Sequence, residues 1–205
     1  MRWFRKIKNL FKKKKIIKFP AYPKINIDDI EDMSIILEAG SNKLTRWGMR
    51  YLHGWKYDLT FTHSFLHIEL GYCLNMTTTA HTTDIKNLLK KSHRYIVISF
   101  GDVDGKMATR GKRASHKRAG DIRYKYRLYD IRGFLYQGFK KIPVLKRLIK
   151  PSKRLNICSD LVADIYKYEM KHPLFVNVDD EDVTPNDLYI IAESYQATKI
   201  YELII

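Results

Sequence analysis

The stretch Arg154-Leu155-Asn156-Ile157-Cys158-Ser159-Asp160-Leu161-Val162 decides how the chain is read, because it sets a thiol at the start of a helix. Asn156 suits the N-cap, since its side-chain oxygen can accept from a free backbone N–H of the first turn. Leu161, Val162 and Ile165 recur with helical spacing. His172-Pro173 ends the element, because the residue before a proline disfavours the helical region. Cys158 is therefore expected one or two residues inside a helix N-terminus. Orphan N–H groups and the positive end of the dipole there favour thiolate over thiol. Such a thiolate is a nucleophile if a histidine reaches it; the alternative is a small buried residue on a core helix.

Working outward, the histidine that could reach it lies far upstream. Leu59 to Leu70 is rich in β-formers and long enough for a strand. On it His63, Phe65, His67 and Glu69 share one face by the period of two. Gly71-Tyr72 reads as the turn and Cys73-Leu74-Asn75-Met76-Thr77 as the returning strand. Ser34 to Glu38 is a short apolar strand, and Tyr95 to Phe100 an apolar, central one. Thr82 to Lys91 reads as a short helix capped by Thr82 or Thr83. Residues 101–127 lose apolar periodicity among glycines and cations, Arg113 and Arg118 included, and read as a basic surface insertion or mobile loop. An acidic patch, Asp179 to Asp182, precedes Thr184-Pro185-Asn186-Asp187-Leu188. Tyr189 to Ala192 and Ile200 to Ile204 read as closing strands. His53, His81, His93, His116 and His172 read as surface or loop residues.

The N-terminal segment differs from the rest. Residues 1–24 hold ten Lys or Arg and no acid. Trp3, Phe4, Ile7, Leu10 and Phe11 fall on one helical face, followed by Lys12, Lys13, Lys14 and Lys15. Residues 1–25 thus form a basic extension, read as an amphipathic helix on an anionic membrane, as a basic arm that binds phosphate without specificity, or as a helix docked on the protein's own core. Residues 26–205 form the domain. The whole 205-residue chain carries a formal charge of +16, which implies an anionic partner: nucleic acid, an acidic membrane or a polyanionic polymer. Its 45% apolar content supports a full core. Two cysteines in unlike settings make no disulfide framework and favour a reducing compartment. No metal-ligand spacing or cofactor motif is present. No stretch approaches the ~20 apolar residues of a membrane span, and the apolar region of a secretion signal is missing. The expected location is cytoplasmic or virion-associated, with peripheral membrane contact through the extension.

Six motifs in order resemble the circularly permuted, NlpC-type papain-like cysteine hydrolases, especially their YiiX-like branch, which are related to the lecithin–retinol acyltransferase group. They are Asp32-Met33-Ser34-Ile35-Ile36-Leu37, Thr62-His63 before an apolar strand, Asn75-Met76-Thr77, Tyr129-Asp130, Cys158-Ser159-Asp160-Leu161-Val162, and Thr184-Pro185-Asn186-Asp187-Leu188. The resemblance spans roughly residues 28–192. It implies an α+β, permuted papain-like domain, with an antiparallel sheet packed on the cysteine-bearing helix. It further implies Cys158 as nucleophile, His63 as base and Asn75 as the group orienting that base, where the family more often keeps Glu or His. His67 is the rival base, roughly 13 Å further along the strand, so both cannot serve. The implied reaction is hydrolysis of amide or isopeptide bonds, as in peptidoglycan peptides. The competing readings are a membrane-surface acyltransferase or thioesterase of the same fold, and a non-catalytic basic phage or viral structural protein.

Overall fold

The computed structural model describes residues 16–40, 57–76, 79–120, 158–178 and 183–205. Asn156, the basic run Lys12 to Lys15, His53, Tyr129-Asp130 and the acidic patch 179–182 lie outside the described residues. The architecture is α+β. Seven strands form one sheet: β1 (Lys24–Ile25), β2 (Ile35–Ala39), β3 (His63–Glu69), β4 (Tyr72–Met76), β5 (Ala80–Asp84), β6 (Arg94–Phe100) and β7 (Thr198–Leu203), in the order β1-β7-β6-β2-β3-β4-β5. Among these seven strands β1 pairs with β7 in parallel and the other pairings are antiparallel.

Both faces of the sheet are covered, which explains why β2 and β6 read as continuous apolar runs. Ile35, Leu37, Leu66, Ile68, Leu74, Met76, Ile96 and Ile98 face one core, shared with the helices. Ile36, Phe65, Cys73, Tyr95 and Val97, the alternate residues, face a second core closed by Ile25, Ile30, Ile85 and Leu203. β3 and β4 join through Leu70 and Gly71, both at positive φ (49° and 78°). Two such residues in a two-residue loop match the right-handed twist of the hairpin. The turn thus falls one residue before Gly71-Tyr72.

Among the described residues, four α-helices accompany the sheet: α1 (Ile85–Leu88), α2 (Gly105–Gly120), α3 (Cys158–Asp164) and α4 (Pro185–Glu193). A π-helical stretch, Ile165–Met170, continues α3. Lys171 then takes the left-handed conformation (φ 56°) and His172-Pro173 turns the chain away.

Three sequence expectations are corrected here. First, residues 105–120 are not a loop but the helix α2. Its inner face is Gly111, Ala114, Ser115 and Arg118, with Met107 and Ala108 packed against the core. Small side chains bring this helix close to its neighbours, so no stripe of large apolar residues marks it. A Cβ on Gly111 would lie 2.5 Å from Met33 Cε and 2.9 Å from Met170 Sδ. Second, Ala80 to Asp84 is a strand rather than a helix start, with Leu74 paired to Thr82 and Cys73 to Thr83. The helix begins only after Asp84, whose carboxylate accepts from the Lys86 N–H at 2.8 Å. Third, Tyr189 to Ala192 lies within α4. Thr184 accepts from the Asp187 N–H while Asp187 reaches back to the Thr184 N–H, and Pro185 occupies the first turn. This capping box with proline overrides the β preference of Tyr189 and Ile190.

Arg118 is buried, and its guanidinium contacts Asp164 at 2.7 Å and Glu169 at 3.3 Å. It ties α2 to the helix carrying Cys158 and presents no charge to an external surface, whereas Arg113 is exposed.

Two outcomes test this packing. Gly111→Leu overpacks the contact with Met33 and Met170 and lowers stability by about 1–3 kcal/mol, read as a drop in the thermal midpoint. Arg118→Ala removes the guanidinium from Asp164 and Glu169 and costs about 3 kcal/mol, whereas Arg113→Ala changes the unfolding free energy from urea titration by no more than about 0.5 kcal/mol.

Candidate active site

β3 begins at His63, and that position makes the site. The β3–β4 ladder runs from Leu66↔Leu74 to Glu69↔Tyr72, so the ends of both strands beyond Leu66 and Leu74 pair through side chains instead. His63 Nε2 lies 2.7 Å from Asn75 Oδ1. A carboxamide oxygen only accepts, so Nε2 carries the proton and donates it. This leaves Nδ1 as the ring's second nitrogen, and the ring lies close enough to the Cys158 sulfur for the charge of each to favour that of the other. Cys158 opens α3, buried against β3, with 2% of its surface exposed. The Ser64 backbone N–H also points to the sulfur. The buried Ser64 hydroxyl has no oxygen or nitrogen partner among the described residues. It lies near enough to the sulfur to favour its anion, without the geometry of a full hydrogen bond.

Two opposed effects set the charge state. Burial alone would push the Cys158 thiol up, since it penalises the anion. The adjoining His63 charge and hydrogen bond, with the Ser64 donors, outweigh it and bring Cys158 down to about 7. Burial likewise would hold His63 neutral, but the Cys158 charge and hydrogen bond, the Asn75 bond and the Glu38 carboxylate raise it to about 9. The two shifts run in opposite directions and together favour thiolate beside imidazolium. Cys73 shows the contrast: it is buried without such a partner, and its thiol is pushed far above the usual range.

Hydrogen bonds outside the pair hold both halves in place. Next to the sulfur, the Ser159 hydroxyl donates to the Val183 carbonyl. Three residues after Val183, the buried Asn186 accepts from the Phe61 N–H at 3.0 Å and donates to the Phe61 carbonyl at 3.3 Å. Phe61 is two residues before His63. One short segment therefore anchors the helix of Cys158 and the approach to β3.

Cys158, His63 and Asn75 are thus brought together. His67 is elsewhere: its Nδ1–H donates to the Glu31 carbonyl at 3.1 Å, and its Nε2 is buried without a partner. Burial lowers its pKa and keeps it neutral. His172, expected at the surface, is fully buried, with Nε2 3.1 Å from Asp102 Oδ1 and Nδ1 accepting from the Leu174 N–H. It locks the end of the π-helical stretch to the end of β6. His93 bonds the Glu38 carboxylate, and His116 is exposed beside Glu69. Sequence reading missed Ser64, Asn186 and Glu38. Asn186 stood inside a motif read only as a closing turn; the other two carried no signal beyond lying beside His63 or on the neighbouring strand. Among the described residues, no group of three His, Cys, Asp or Glu side chains could hold a metal ion.

No protein-family model matches this chain, and no curated protein matches it.

Proposed function

We propose that the protein is a cysteine hydrolase of amide or isopeptide bonds, of the permuted papain-like kind, with Cys158 as nucleophile, His63 as acid–base and Asn75 as the group that orients the ring. One observation carries the reading: the His63 imidazole is held at Asn75 Oδ1 through Nε2 and stands beside the Cys158 sulfur, each charge favouring the other. A nucleophile, a base and an orienter in that sequence are the parts covalent acyl transfer requires.

The steps follow from the charges. The Cys158 thiolate attacks the carbonyl carbon, forming a C–S bond while the carbonyl π electrons move to oxygen. The backbone N–H of Cys158 is the candidate donor to that oxyanion; one such donor is typically worth about 10²–10³ in rate. The intermediate collapses, the C–N bond breaks, and the His63 imidazolium gives its Nδ1 proton to the leaving amine. Neutral His63 then takes a proton from water, whose oxygen attacks the thioester carbon. The C–S bond breaks, the acid leaves, and the thiolate–imidazolium pair returns.

The substrate class favoured is a peptide of the peptidoglycan type on an anionic support. Lys106, Arg110, Arg113 and Lys117 recur on α2 at helical spacing and are exposed, giving the domain a basic flank suited to such a support. Among the described residues no helix is long and apolar enough to cross a membrane.

The sign of the pH dependence is fixed by the pair. Activity rises as Cys158 ionises near pH 7 and falls as His63 loses its proton near pH 9. Titrating the thiolate by its ultraviolet absorbance gives a midpoint near 7 in the wild type; in His63→Ala it moves above the ordinary 9, because burial is then uncompensated. A wild-type midpoint at the ordinary value overturns the proposal.

Cys158→Ala abolishes release of amines from peptidoglycan fragments. Asn75→Ala retains the folded structure but loses activity, chiefly in kcat, by less than the loss in His63→Ala. Equal activity in all variants would refute the assignment.

A further inference from the structure

Among the described residues, Glu38 is the acidic side chain whose charge acts on His63. Glu38 stands directly opposite His63 on the neighbouring antiparallel strand and directly opposite Tyr95 on the other side. Residues so paired project from the same face, with Cβ atoms about 5 Å apart. The side chain of Glu38 is 12% exposed. Rings wall it in: His63 stands 6.1 Å from Phe65, Phe65 6.2 Å from Tyr95, and Tyr95 6.5 Å from His93.

Nothing leaves this carboxylate free to swing. His93 Nδ1 donates to its Oε1 at short range. Its own backbone carbonyl accepts from the Thr62 N–H at 2.8 Å, and the Thr62 hydroxyl in turn accepts from the Gly40 N–H at 3.2 Å. Arg94, next to His93 in the chain, is turned to Glu202 at 2.9 and 3.0 Å. A carboxylate with so little water around it interacts strongly with any charge nearby. Among the described residues, the titratable groups that face it are His63 from β3, His93 from the turn before β6, and Tyr95 from β6. Those that face His63 are Glu38 and Cys158, joined by the neutral Asn75.

We propose that Glu38, clamped by His93, is a positioning residue that favours the charged form of His63 throughout the reaction. The proposal rests on the hydrolase reading above and deepens it. The thiolate cannot do this alone. Once the sulfur has attacked, its charge passes to the carbonyl oxygen and, in the thioester, is gone. At that point the imidazolium has lost its main counter-charge, yet it must still hold a proton for the leaving amine. Glu38 does not react, so its field persists across the step. The same direction is visible at rest, where Glu38 adds to the rise of His63.

The test is an NMR titration of the His63 ring in the full chain, in wild type, Glu38→Gln and Glu38→Asp, each checked for native circular dichroism. Glu38→Gln keeps the shape and removes the charge. The expected result is a His63 midpoint lowered by up to about one pH unit, with the alkaline limb of the activity profile moving down equally. Glu38→Asp restores part of the shift. A His63 midpoint identical in wild type and Glu38→Gln overturns the proposal. Should Glu38→Gln fail to fold, the comparison of wild type with Glu38→Asp and His93→Ala, which loosens the clamp, reads the same quantity, and identical midpoints overturn it equally. Failure of the hydrolase reading shows differently: the wild-type Cys158 thiol then titrates at its ordinary value, whatever Glu38 does to His63.

Discussion

A side-chain amide bonded in both directions to the backbone of one residue, Asn186 to Phe61, fixes how the helical layer meets the sheet. Both groups are buried, so each bond replaces water that neither can recover, and losing one partner would leave the other unsatisfied at a cost of about 1–3 kcal/mol. The segment that carries Asn186 also receives the Ser159 hydroxyl at Val183. Sulfur and imidazole therefore do not meet by packing alone. Each is hung from the same short piece of chain, and the capping box of Thr184 and Asp187 makes that piece rigid.

The site shows how a low-dielectric setting is used against its own tendency. Burial opposes every charge placed there, as the inert Cys73 shows on the other face of the sheet. At Cys158 the penalty is overcome because donors converge from β3 while the positive ring stands beside the sulfur. His67, only four residues from His63 on the same strand, has a backbone carbonyl and no anion as its hydrogen-bond partner. Two histidines on one strand thus have opposite tendencies, set by whether a thiol or a carbonyl faces the ring.

What the sequence disclosed follows from which forces are local. β2, β3, β4, β6 and β7 were legible because alternate residues serve two cores, and the hairpin was legible from Gly71, missed by one position. α2 was illegible because its buried face is Gly111, Ala114 and Ser115, residues whose value lies in letting other side chains approach. α4 was misread because Tyr189, Ile190 and Ile191 favour strand, while the deciding signal was the capping chemistry that starts five residues earlier at Thr184. The identities of Cys158, His63 and Asn75 were legible as residue types in a motif order. Their contact was not, since ninety-five positions separate sulfur from ring. Nor did any pattern reveal that Arg118 would be enclosed by two acids, because cations in a run look alike until a tertiary neighbour distinguishes them.

The margin of the sheet has a consequence of its own. Among the described residues, β7 is bordered on its outer side by the two residues of β1, held by the Glu202 N–H to the Pro23 carbonyl and the Ile204 N–H to the Ile25 carbonyl, both within 2.9 Å. The chain therefore seals its last strand with a piece of its own beginning, and Tyr22, bonded to Tyr189, keeps that piece seated. Until this seam closes, the C-terminal strand offers an open template, and self-association during synthesis is restrained only by charges such as Lys199.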